Sequence, residues 1–127
     1  MKRLTSILLV ALLAFGAAGA LAGCGLREEA AEKTTGQIDV ARDATLKAQL
    51  MMIKTGIQAF AVTNGAAPPD ASQATLGGVV SPWPTNPFSN APMKPGEGVG
   101  DYVYAPGAGA SYTLTVNLSD GSTYTAP

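Results

Sequence analysis

Between Leu46 and Phe60 the apolar residues Leu46, Leu50, Ile53, Ile57 and Phe60 recur at intervals of four, three, four and three. That spacing is one face of an α-helix, and so continuous a face needs a layer to cover it. Met51 and Met52 widen the face into adjacent positions, while Arg42, Lys47 and Lys54 lie mostly off it. At the far end, Asn64-Gly65 supplies a left-handed stop and Pro68-Pro69 forbids continuation. Upstream, Thr34 and Gln37 have the capping-box spacing, in which each side chain satisfies an orphan backbone donor. Asp39 and Asp43 suit the positive end of the helix dipole. The pattern therefore predicts a helix over residues 37–64. Reading the stripe as a ligand for a partner's groove would leave the rest of this small chain without a core.

The covering layer lies at the other end of the sequence. Tyr102-Val103-Tyr104 reads as a short strand and Pro106 to Ala110 as a turn. Tyr112, Leu114, Val116 and Leu118 then alternate with Thr113, Thr115 and Asn117, the period of a half-buried strand. Asp120-Gly121 is a two-residue hairpin signal, because both residues tolerate positive φ, and Ser122 to Thr125 completes the hairpin. Between helix and strands, residues 66–100 hold Pro68, Pro69, Pro82, Pro84, Pro87, Pro92 and Pro95. Each proline removes a backbone donor, so regular sheet is not expected there. Leu76, Val79, Val80, Trp83 and Phe88 predict instead an ordered loop pinned to the core, with a short helical turn near Ala71 to Leu76. The fold class that follows is α+β: one long N-terminal helix packed on a small three-stranded antiparallel meander, with a Pro/Gly-rich loop between them.

The N-terminus has a different character. Met1-Lys2-Arg3 is followed by Leu4 to Ala22 without a charge, and Arg27-Glu28-Glu29 restores polarity soon after. A basic start, an apolar run and a small-residue cleavage site are the parts of a secretory signal. The residues Leu21-Ala22-Gly23-Cys24 resemble the lipobox of bacterial lipoproteins. That resemblance implies a covalent lipid such as palmitate on the Cys24 thiol, with Leu21, Ala22 and Gly23 recognised by the signal peptidase that cuts before it. Two alternatives remain: ordinary signal cleavage near Ala20 or Ala22, and an uncleaved membrane helix of roughly 20 residues. Gly16, Gly19, Gly23 and Gly25 weaken the helix alternative. The chain divides into a signal peptide at 1–23, a charged segment at 24–36 and a single domain at 37–127. The charged segment GLREEAAEKTTG is a tether or a loose helical extension. By resemblance to the usual sorting pattern, Gly25 leaves transport to an outer membrane open.

Helix, loop and meander come in the order found in type IV pilins and type II secretion pseudopilins. Trp83-Pro84-Thr85-Asn86-Pro87-Phe88 resembles the "W/YPxxPW" loop of major-pseudopilin-like proteins. Gly100-Asp101-Tyr102-Val103-Tyr104 and Ser111-Tyr112-Thr113-Leu114 resemble that family's "GDYxY" and "sYtL" strands, with Asp120-Gly121 at the expected turn. The resemblance spans about residues 38–125 and implies a pilin-like globular domain. One departure is informative. Prepilins carry a Gly-Phe-Thr-Leu-Ile-Glu-like processing site before a polymerising half-helix; here the first glycine is Gly16 and no glutamate precedes Glu28. The resemblance thus implies a pilin-like domain on a lipid anchor.

Composition excludes several chemistries. The chain has no histidine and one cysteine, so neither a Ser/His or Cys/His nucleophile pair nor a His-based zinc site is possible. Internal disulfides are excluded too. The formal charge is −1, and after residue 64 Lys94 stands against Asp70, Glu97, Asp101 and Asp120. No basic patch tracks phosphates, which argues against nucleic acid as a partner. Nothing in the spacing of Asp39, Asp43, Asp70, Glu97, Asp101 or Asp120 pairs two carboxylates as acid and base. Gly96-Glu97-Gly98-Val99-Gly100 lacks the helix and the Lys-Ser/Thr of a phosphate loop. Major pseudopilins bind calcium in their C-terminal loops, and that resemblance marks Glu97, Asp101 and Asp120 as candidate hard-oxygen ligands. The expectation is a non-enzymatic, outward-facing lipoprotein, an interaction or accessory module of a secretion or pilus-type system. The alternatives are a small ligand-binding lipoprotein with Trp83, Phe88, Tyr102 and Tyr104 lining a pocket, and an atypical pilin-like filament subunit.

Overall fold

A computed structural model describes the backbone of residues 23–127 and the side chains from residue 33 onward. Helix α1 spans Gly23–Asn64 and a one-turn helix α2 spans Gln73–Leu76. Strands β1 (Tyr102–Pro106), β2 (Tyr112–Asn117) and β3 (Thr123–Thr125) follow in one sheet of order β1-β2-β3. Both pairings are antiparallel, with Tyr102 opposite Val116 and Val116 opposite Tyr124. The architecture is α+β, as the periodicity predicted. The chain separates into two units, Met1–Gln37 and Ile38–Pro127, and the core described below belongs to the second.

The start of α1 differs from the expected one. Thr34 and Gln37 lie inside the helix rather than at its first turn, so they form no N-terminal capping box. The reason lies upstream. Ala30, Ala31, Glu32 and Lys33 are strong helix formers, and propagation adds residues at little cost once a helix exists. The other end follows its signal. Gly65 sits at φ 77° and its N–H donates to the carbonyl of Ala61 at 2.8 Å. Only glycine adopts that left-handed conformation without a Cβ penalty.

The stripe on α1 is fully buried at Leu46, Leu50, Ile53 and Ile57, each 0 % exposed. It packs in one cluster with Tyr102, Leu114, Val116 and Leu118 from the sheet region, and with Ala71, Leu76, Val80 and Met93 from the loop. Phe60 is half-buried against this cluster. Met52 departs from expectation: it faces outward and is 41 % exposed. At 100° per residue it stands about 100° from Ile53, beyond the edge of a face centred on Leu46, Leu50, Ile53 and Ile57.

The Pro/Gly-rich segment is ordered by its own side chains, as Trp83 and Phe88 led us to expect. Both pack on the core cluster, and the Trp83 indole Nε1–H donates to the Met93 carbonyl at 2.9 Å. The Met93 N–H donates back to Pro84 at 2.9 Å, and Thr85 bridges to Pro92. Within this segment Val80 closes on Gly56 of α1, where an added Cβ would lie 2.2 Å from Val80 Cγ2. Gly56 is thus required for close approach, although alanine is the better helix former. Gly56→Ala will destabilise the domain by about 1–3 kcal/mol through overpacking. Urea titration of Gly56→Ala, Val80→Ala and the double variant checks this: the double variant should lose clearly less than the two single losses combined.

Candidate functional site

The anchor motif falls at the edge of what is described. Leu21 and Ala22 lie outside the described residues. Of Gly23 and Cys24 only the backbone is described, as the first two residues of α1. Among the described residues no helix is long and apolar enough to cross a membrane.

Of the acidic residues singled out by resemblance, Glu97 and Asp101 share the loop before β1, and Asp120 sits in the turn between β2 and β3. Asp120 Oδ1 accepts from the Ser122 N–H at 2.8 Å and the Ser122 hydroxyl at 2.6 Å, closing the β2–β3 hairpin with Gly121 at φ 81°. Asp101 Oδ2 accepts from the Gly98 N–H at 3.2 Å, within its own loop. Glu97 is exposed on that loop. Among the described residues no three His, Cys, Asp or Glu side chains stand close enough to hold a metal together. Three of the loop's carbonyls accept from protein donors. Asn117 Nδ2 donates to Gly96 at 3.3 Å and to Gly98 at 3.2 Å, and Asn86 Nδ2 donates to Val99 at 2.8 Å. Two amide groups thus meet the oxygens of the 96–100 loop directly.

Sequence reasoning missed Asn86. It is 4 % exposed, and its Oδ1 accepts from the Phe88 N–H at 2.9 Å while its amide nitrogen ties the Pro-rich segment to Val99. Gly100, at φ 79°, lies so close to the Asn86 amide that a Cβ there would meet it at 2.3 Å. A short polar side chain flanked by prolines reads as a turn residue; only its burial shows it as a bridge between two segments.

Of the aromatic residues considered for a pocket, Trp83, Tyr102 and Tyr104 spend their polar ends on main-chain oxygens. The Tyr102 hydroxyl donates to Ala71 at 2.5 Å and the Tyr104 hydroxyl donates to Pro68 at 2.7 Å. Burial raises the Tyr102 phenol far above its ordinary range, with the nearby Asp70 charge adding to the effect. Asp70 itself organises the turn before α2. Its Oδ1 accepts from the Ser72 N–H, the Ser72 hydroxyl and the Thr75 hydroxyl at 3.0, 2.5 and 2.7 Å. A shallow cleft of about 220 Å³ lies elsewhere, lined by Met52, Thr55, Gly56, Val79, Val80 and Ser81.

The charges of α1 from residue 38 onward engage the domain or one another. Asp43 bridges the helix to the hairpin, accepting from the Ser119 N–H at 3.0 Å and the Ser119 hydroxyl at 2.7 Å. Arg42 lies over the Phe88 ring at 5.4 Å and pairs with Asp39 at 3.5 Å. Lys47 lies over Tyr124 at 5.2 Å, and Lys54 Nζ donates to the Pro127 carbonyl. Comparison with family models, curated proteins and solved structures finds no match.

Two measurements test these assignments. Asn86→Ala strands the Val99 carbonyl and the Phe88 N–H, and should cost roughly 1–3 kcal/mol in denaturant unfolding. Hydrogen bonds from the Ser72 hydroxyl first, then the Thr75 hydroxyl, hold the Asp70 carboxyl below its ordinary range. A depressed folded-state pKa stabilises above the unfolded value and is lost as pH falls through the folded one. Thermal melts of Asp70→Asn should therefore show a shallower loss of stability below about pH 4 than the parent chain.

Proposed function

We propose that the chain is a non-enzymatic lipoprotein held at the outer face of a cell membrane through Cys24. Its domain serves as a pseudopilin-like interaction or accessory module of a secretion or pilus-type system. The observation that carries this reading is Leu21-Ala22-Gly23-Cys24, placed at the end of a charge-free run that follows Lys2 and Arg3. One acyl chain binds membranes marginally, so the two or three chains of a bacterial lipoprotein supply the stable attachment. The pilin-like part is supported by the order of helix, Trp83–Phe88 loop and antiparallel meander. The non-enzymatic part is supported by the absence of histidine and of a second cysteine, which removes the commonest nucleophilic pairs. The anchor stands where a pilin keeps its polymerising half-helix, so it holds the domain at the membrane without supplying a filament core.

The test is Cys24→Ala expressed in a bacterial envelope, with labelled palmitate and detergent-phase partitioning. The parent chain should take up label and partition into detergent, and the variant should do neither. A variant that still takes up label and stays with the membrane would sink the reading.

A further inference from the structure

Helix α1 carries a second regular face. Thr45, Ala48, Met52, Thr55, Ala59 and Val62 recur at intervals of three, four, three, four and three, and Ala41 and Ile38 continue the series backwards. This 3.5-residue repeat is the spacing of a seam between two packed helices. All eight positions are exposed, Val62 at 87 %.

A solvated helix face ordinarily carries charged and polar side chains; this one carries no charge. Asp39, Arg42, Asp43, Lys47 and Lys54 are all off the series and are engaged with one another or with the domain. The threonines on the face are also spent. The Thr45 hydroxyl donates to the Ala41 carbonyl at 3.0 Å and the Thr55 hydroxyl donates to Met51 at 2.9 Å. Each turns its hydroxyl into the helix backbone and leaves its methyl facing out.

We propose that this face is where a second copy of the same chain packs, helix against helix and in parallel. The inference rests on the lipid-anchor reading above. Three arguments select a copy over another occupant. The first is area. A face of 25 residues is about 37 Å long and covers roughly 400 Å² per chain, short of the ~1,200 Å² total of stable interfaces. So small a contact needs a partner held nearby, and copies anchored in one membrane supply that local concentration. The second is orientation, since chains anchored at the same end present this face in the same direction. The third is charge. In parallel register Ala44 meets Gln49, Met51 meets Gly56 and Gln58 meets Thr63, so no like charges oppose. The cleft beside Gly56, lined by Thr55 and Val79, gives the partner's Met51 a place to enter.

The test uses the full chain in a bacterial envelope and a short bis-maleimide linker. Ala48→Cys and Thr55→Cys should each yield at least about tenfold more covalent dimer than Ala108→Cys, whose position lies off the face. Adding Met52→Arg, which sets two cations against each other, should abolish the dimer while leaving the melting temperature of this exposed-site variant near the parent's. Equal yields on and off the face, no dimer at either face position, or capture of a protein of another mass would each overturn the proposal. Dimer from the parent chain is a separate outcome. It reports a free Cys24 thiol, and so overturns the anchor reading together with the tethered copy that depends on it.

Discussion

The domain depends on the burial of one helical stripe. Leu46, Leu50, Ile53 and Ile57 are wholly removed from water, and they meet Leu114, Val116 and Tyr102 from strands more than forty positions later. Each such aliphatic side chain contributes roughly 1.5–3 kcal/mol when fully buried. Neither layer persists alone: a three-stranded sheet ending in a three-residue strand needs a packed face, and so does the helix. Every other feature lies on this contact or at its margin.

The margin is held by polar groups with defined partners. Tyr102 and Tyr104 reach back from β1 to the carbonyls of Ala71 and Pro68, tying the segment that leaves the helix to the sheet. Asp43 does the same from the helix side, through Ser119. Asn86 and Asn117 satisfy the loop at 96–100, so a segment too rich in proline and glycine for regular structure still pairs its main-chain groups. The charges on the helix flanks engage the domain or one another, and the opposite face of α1 holds no charged residue.

Much of this was legible in the residues. The four-three spacing located the core side of the helix, and Asn64-Gly65 located its end. The alternation from Tyr112 to Leu118 located β2, and Asp120-Gly121 the turn after it. The helix start is not legible, because Thr34 and Gln37 mimic a cap while the residues before them favour helix just as strongly. Met52 reads as core in a linear string, where neighbouring apolar residues look alike, although adjacent positions stand about 100° apart on a helix. The role of Asn86 left no signal, since burial is a property of what surrounds a residue.

By itself, the sequence determined the helix stripe, the meander, the proline-stiffened loop between them and the placing of a lone cysteine after a charge-free run. These are local properties, fixed by periodicity, backbone restriction and side-chain chemistry within a few residues. The tertiary structure alone decided which polar groups meet: Asp43 with Ser119, Tyr102 with Ala71, and Asn86 with Val99. It also decided that no three acidic side chains of the described residues converge on a metal site, and that the uncharged face of the helix stays exposed. Those outcomes join positions far apart in the chain, and only the packing of helix on sheet sets the distances between them.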